Sequence, residues 1–173
     1  SVASNHPYSY SNEKLRNWTF INTKDKRSKN GDAEMDYIAA AVEMADTIYN
    51  ILHTTIKTVY PQYYPQEVVD FFCNHHSKEH ILDGIASGNM GVLKVADAIV
   101  GAGCFYENHI TGLYVLPACQ NRGYGSYIMD CLEAEIMKKY DTAVLDASLP
   151  AVQIYEHRGY KTTGHGIIEL ENN

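Results

Sequence analysis

The chain has 173 residues, is 45% hydrophobic and carries a formal net charge of −7, which suits one ordinary globular domain with a real core. No apolar run nears the roughly 20 residues of a membrane span, and no signal-peptide pattern is present, so a cytoplasmic protein that does not engage a membrane is expected. Cys73, Cys104, Cys119 and Cys131 lack metal-ligand or redox spacing and read as thiols, most of them in the core.

The charge is uneven. Residues 1–34 hold six Lys/Arg against four Asp/Glu, and residues 35–173 hold eight against seventeen, so the main body is −9. Such a body repels nucleic acid and favours a cationic small molecule or a basic peptide as partner.

Residues 1–34 are rich in Ser, Asn and Lys and have no helical period; Trp18, Phe20 and Ile21 are their apolar cluster. They read as an N-terminal extension, with Lys24 to Lys29 either a basic arm or part of a solvated tail. A domain over 35–173 follows, and Met35 itself is a candidate natural first residue, with the extension then derived from upstream sequence. The run Tyr37 to Ala41 reads as a strand. From Asp46, placed as an N-cap, Ile48, Ile51, Leu52, Ile56 and Val59 fall on one helical face ending near Pro61. Pro65 opens a second helix carrying Val68, Val69, Phe71 and Phe72, and Ser77 opens a third that buries Ile81, Leu82 and Ile85 and stops at Gly88. Between the first two lie Tyr60, Tyr63 and Tyr64, either loop packing or the lining of an acceptor pocket. His75, His76 and His80 are spaced too irregularly for a metal site and read as exposed helix-end residues.

Three alternating runs, Met90 to Ala96, Ala98 to Tyr106 and Ile110 to Leu116, predict an antiparallel meander. After Gln120-Asn121-Arg122-Gly123-Tyr124-Gly125 comes a helix with its stripe at Tyr124, Ile128, Leu132, Ile136 and Tyr140, and with Lys138 and Lys139 in its last turn. Thr142 to Ala147 reads as a buried strand. Ser148 is placed to cap a short helix through His157 that Gly159 ends, and Tyr160 to Thr163 with Ile167 to Leu170 reads as a terminal strand pair.

The glycine loop has no Gly-x-x-x-x-Gly-Lys-Ser/Thr pattern and lacks the third glycine of the dinucleotide fingerprint. Its backbone N–H groups at a helix start nonetheless suit a phosphate. The combination of Leu113-Tyr-Val-Leu-Pro, Gln120-x-x-Gly-x-Gly and Ser148-Leu-Pro-Ala-Val-x-x-Tyr155-x-x-x-Gly159-Tyr160 resembles the GCN5-related N-acetyltransferase family over about residues 35–171. The resemblance implies an α/β (α+β) three-layer fold, with a central mixed, mostly antiparallel sheet splayed like a V, helices on both faces, and acetyl-CoA in the opening as co-substrate.

Under that resemblance Asn121, Arg122, Gly123, Tyr124, Gly125 and Ser126, with Gln120, would hold the pyrophosphate. Leu113, Tyr114 and Val115 would pair with the pantetheine arm, and the Val115 amide would polarise the thioester. Ser148 and Ala151 would approach from the other side. Arg158 reads as a phosphate contact or a plain surface charge. Tyr155 matches the family's general acid, and His109 or Glu107 is the candidate base, with a strand bulge able to change which of them faces the cleft. The function expected is acetyl transfer to the primary amine of a small molecule or peptide; the alternative is a non-catalytic acyl-CoA-binding module. Sheet-edge pairing would allow a homodimer.

Overall fold

The computed structural model describes residues 8–12 and 33–165. Seven strands form one sheet in the order β2-β3-β4-β5-β6-β1-β7, where β1 is Tyr8–Asn12, β2 Met35–Ala39, β3 Met90–Val95, β4 Ala98–Tyr106, β5 His109–Val115, β6 Ala143–Ala147 and β7 Lys161–His165. The strands β3 to β5 run as the expected antiparallel meander, and β2 pairs antiparallel with the outer edge of β3. Helices α1 (Ala45–Val59), α2 (Gln66–His75) and α3 (Lys78–Ala86) follow β2; α4 (Tyr124–Met137) joins β5 to β6; α5 (Val152–His157) joins β6 to β7.

Helix α4 packs on one face of the sheet through Ile128, Leu132 and Ile136, which meet Leu93, Ile110 and Leu145. Each such side chain contributes about 1.5–3 kcal/mol by leaving water. The contact is close because β4 has no side chains in the way: a Cβ at Gly101 or Gly103 would stand 2.8 Å from Ile128. Helices α1 to α3 cover the other face, where Ile48, Ile51, Leu52 and Ile56 of α1 pack with Phe72, Ile81, Val92 and Tyr114.

Two features of the sheet position the site. Between β5 and β6 the parallel pairing is recorded only at His109↔Val144 and Ile110↔Leu145, so the strands part from Thr111 onward. In the β4–β5 pair, Cys104 faces Gly112 but Phe105 faces Ile110, which makes Thr111 the extra residue of a bulge. The bulge turns Ile110 toward α4 while Tyr114, three pairs further on, faces α1 to α3.

Several local expectations change. Helix α1 begins at Ala45 after a 3-10 turn, so Asp46 sits in its first turn, ion-paired with Lys78, rather than at the cap. Ser77 does cap α3, accepting from the His80 N–H. Ser148 makes no side-chain cap, because its buried hydroxyl is turned to Tyr60. Helix α4 stops at Met137, and Lys138, just beyond it, pairs with Glu135. The four cysteines are free, but only Cys131 is fully buried.

The N-terminal extension contributes β1, which lies antiparallel between β6 and β7. Its Tyr-Ser-Tyr-Ser-Asn sequence alternates β-favouring tyrosine with serine, a weak strand signal that composition hides. Trp18 to Ile21, the Lys24 to Lys29 run, and the expected strand at Ile167 to Leu170 lie outside the described residues. Among the described residues no helix is long and apolar enough to cross a membrane.

Candidate active site

Where β5 and β6 part, Tyr60, Thr111, Leu113, Asp146, Ser148 and Tyr155 line a cavity of ≈ 40 Å³. That space holds about one water molecule. Tyr155 reaches it from α5 and is almost fully buried. Burial, then the neighbouring Tyr60, raises its pKa above the usual phenol value, against a smaller lowering by Arg158. The phenol therefore stays protonated and available as a donor.

Tyr60 is the one of the three entrance tyrosines that lines the cavity. The Tyr64 hydroxyl accepts from the Leu149 N–H at 2.8 Å and so links the α1–α2 connection to the segment after β6. Tyr63 is 49% exposed and faces away from that packing.

Asp146 is the cavity residue that sequence reasoning missed. It sits in a strand whose pattern is otherwise apolar, and a single acid there carries no signal until the strands are known to part beside it. Its Oδ2 lies 3.1 Å from His109 Nε2, with the Asp146 side chain 9% exposed and that of His109 38% exposed. The two meet because the bulge sets His109 on the same face as Asp146. His109 thus reaches the cavity only through Asp146. Glu107 is exposed in the β4–β5 turn with φ 54° and does not line the cavity.

At the open end of the cleft, α4 begins at Gly123, whose φ of 82° is left-handed and beside which an added Cβ would meet nothing. Asn121 is also left-handed, at φ 61°. The first helical bond runs from the Tyr127 N–H to the Gly123 carbonyl. Helix geometry therefore leaves the N–H groups of Tyr124, Gly125 and Ser126 without intrahelical acceptors. Arg122 is exposed beside them. The Gln120 amide instead folds back on the Val115 carbonyl at 3.0 Å, which also accepts from Thr55 Oγ1 at 3.2 Å. This pins the loop to the end of β5. The open edge of β5 and this helix start together suit an extended diamide carrying a pyrophosphate.

Arg158 is neither a surface charge nor directed at that loop. Its side chain is 12% exposed, and Nη2 donates to Asp130 Oδ1 at 2.9 Å and to Glu133 Oε2 at 2.8 Å. The Tyr160 hydroxyl donates to the other Glu133 oxygen at 2.9 Å. This network ties α5 and β7 to α4, and so fixes the helix that carries Tyr155. Ala151 lies beside Tyr155 at the cavity wall.

The histidines also depart from expectation. His76 is buried at 4% exposure, because Tyr114 and α1 cover it; His75 and His80 are exposed as expected. Among the described residues no group of His, Cys, Asp and Glu could hold a metal ion.

A family model described as an acetyltransferase (GNAT) domain matches residues 59–169. No curated protein matches the chain. Among solved structures, a GCN5-related N-acetyltransferase from Rhodopseudomonas palustris aligns at TM-score 0.64 and 20% identity, over 73% of this chain and 80% of that one. A PaiA N-acetyltransferase from Thermoplasma acidophilum in complex with coenzyme A aligns at 0.54 and 17%, over 61% and 74%. A predicted acetyltransferase from Clostridium acetobutylicum with acetyl-CoA aligns at 0.55 and 16%, over 81% and 96%. At these identities the structures speak for the fold.

Proposed function

We propose, from the premise that the chain belongs to the GNAT acetyltransferase family, that it transfers an acetyl group from acetyl-CoA to the primary amine of a cationic small molecule or peptide. Acetyl-CoA would supply the activated acyl group as a thioester. The observation that carries the reading is Tyr155 in the cavity at the point where β5 and β6 separate.

The chain's residues divide the work. Backbone N–H groups of Tyr124, Gly125 and Ser126 would receive the pyrophosphate, with Arg122 adding charge at the rim. The main chain of Leu113 to Val115 would hold the pantetheine arm along the open strand edge, and the Val115 amide would face the thioester oxygen. Tyr155 Oη would give its proton to the departing sulfur, which its position and protonated state favour. Asp146, inside the cavity and backed by His109, would hold the acceptor's ammonium by charge. That choice of acceptor agrees with the −9 body.

Incubating the protein with acetyl-CoA and a panel of spermidine, tryptamine, an aminoglycoside and a lysine-containing peptide should release free thiol with at least one amine. Saturable acetyl-CoA binding without thiol release on any of them overturns the reading.

A further inference from the structure

A line of buried hydroxyls ending on a histidine leaves the cavity on the α1–α3 face of the sheet. The Ser148 hydroxyl pairs with that of Tyr60, and Tyr60 with Tyr114. The Tyr114 hydroxyl lies 2.7 Å from His76 Nε2. All four side chains are buried; Ser148, Tyr60 and Tyr114 line the cavity, and His76 lies beyond it.

We propose that this line carries a proton out of the cavity: the acceptor ammonium passes its proton to Tyr60 Oη, Tyr60 passes its own to Tyr114 Oη, and Tyr114 passes its own to His76 Nε2. The inference rests on the acetyltransferase reading, since it supplies the neutral amine that attack on a thioester requires. The products of the step are a neutral amine and an imidazolium, with both phenols restored to their starting state. His76 begins as the tautomer with its ring proton on Nδ1, so that Nε2 accepts from Tyr114.

Three features favour this route over Asp146 and His109. A carboxylate is a weaker base than an imidazole and so a poorer acceptor for an alkylammonium proton, and the His109 imidazole stands behind Asp146 and does not line the cavity. Burial pushes the pKa values of Tyr60 and Tyr114 up, which disfavours a free phenolate and favours concerted transfer along the line. The far end can also discharge. His76 meets His75 at a ring separation of 5.2 Å and His80 of α3 at 6.2 Å, and both of these are exposed.

His76 also meets its partner Tyr114 on β5 and His53 on α1. His53 Nε2 lies 2.8 Å from the His76 carbonyl, an acceptor only, so His53 carries its proton there and fixes the His76 backbone. Tyr49 of α1 stacks on His53. Tyr114 and His76 act through Tyr60 and are positioning and relay residues.

The test measures kcat with an amine that the wild-type protein turns over, from pH 7 to pH 10, for Tyr114→Phe, His76→Gln and His109→Gln. General acid–base steps are worth about 10²–10⁴-fold, and the relay predicts a roughly 10²-fold kcat loss at pH 7 for the first two, with KM for acetyl-CoA unchanged. That loss should shrink to within about fourfold near pH 10, where about a quarter of the free amine is already neutral. Gln at 76 can still accept from Tyr114 but cannot take up a proton, so near-wild-type activity of His76→Gln would mean a purely structural bond and would overturn the proposal. A loss independent of pH, or the pH-dependent loss appearing in His109→Gln alone, would also overturn it. Nitrogen-15 NMR of the imidazoles gives a second readout without turnover: His76 Nε2 should be unprotonated in the wild type and change in Tyr114→Phe, and an Nε2–H tautomer overturns the relay. Failure of the wild type to acetylate any amine would instead remove the underlying acetyltransferase reading.

Discussion

Two buried polar networks flank the cavity, and they are built from opposite materials. On the α4 side, Arg158 is held between Asp130 and Glu133, with Tyr160 on the second Glu133 oxygen. On the α1–α3 side, Ser148, Tyr60, Tyr114 and His76 make a line of groups that are neutral at rest. A network of full charges in a dry site is rigid, because moving or removing one member strands the others. A network of hydroxyls ending on an imidazole can exchange protons with little change in net charge. The first suits holding Tyr155 in place, the second suits moving a proton past it.

Breaking the charged network should have the largest effect. Glu133→Ala leaves a buried guanidinium short of its counter-ion, and loss of one partner of a buried pair costs about 3–5 kcal/mol. Urea unfolding should register that loss, while acetyl-CoA affinity of the remaining folded protein stays near wild type.

The neutral side should fail with alkali. Tyr60, Tyr114 and Tyr155 all have folded pKa values raised, chiefly by burial. A raised folded value means that their contribution is complete below the unfolded phenol pKa of about 10 and is lost as pH climbs above it toward the folded values. Stability should fall by up to about 1.4 kcal/mol per pH unit for each tyrosine, and Tyr60→Phe should flatten the slope of unfolding free energy against pH between 10 and 11.

Chemistry alone separates Tyr155 from both networks. Tyr155→Phe should lower kcat about 10²-fold with acetyl-CoA affinity unchanged. Equal loss of turnover and affinity would make Tyr155 a packing residue.

The smallest effect is expected at the cradle. Gly123→Ala has open space for its methyl but a left-handed backbone, so it should cost about 1–2 kcal/mol of stability and weaken acetyl-CoA binding, as read by calorimetry.

Much of the fold was legible because it depends on period and punctuation. The stripe at Ile128, Leu132 and Ile136, the meander and the glycine loop each leave a local mark that survives in one dimension. The site was legible where a motif names a residue, as with Tyr155 and the loop from Gln120 to Gly125. It was not legible where function depends on what stands across a gap. Asp146 gains its place only because β5 and β6 part beside it, and His76 looked like one of three loose histidines until Tyr114 was seen to cover it. Arg158 was misjudged for the same reason: its partners are 25 and 28 positions away, on α4. The strand Tyr8–Asn12 was missed because five residues of tyrosine, serine and asparagine give too short a signal to stand out from a polar segment.

The surplus residue at Thr111 works as a half-step in the rhythm of β5. Ahead of it, His109 sits on the Asp146 side; behind it, Leu113 and Val115 still meet α4 and Tyr114 still meets His76. Were the strand to run regularly through Thr111 instead of bulging there, its two ends would fall out of phase, and either the His109 pair or the Tyr114 line would be turned into the wrong layer. The two routes for charge into the cavity therefore coexist by virtue of one amino acid whose own side chain takes no direct part in either.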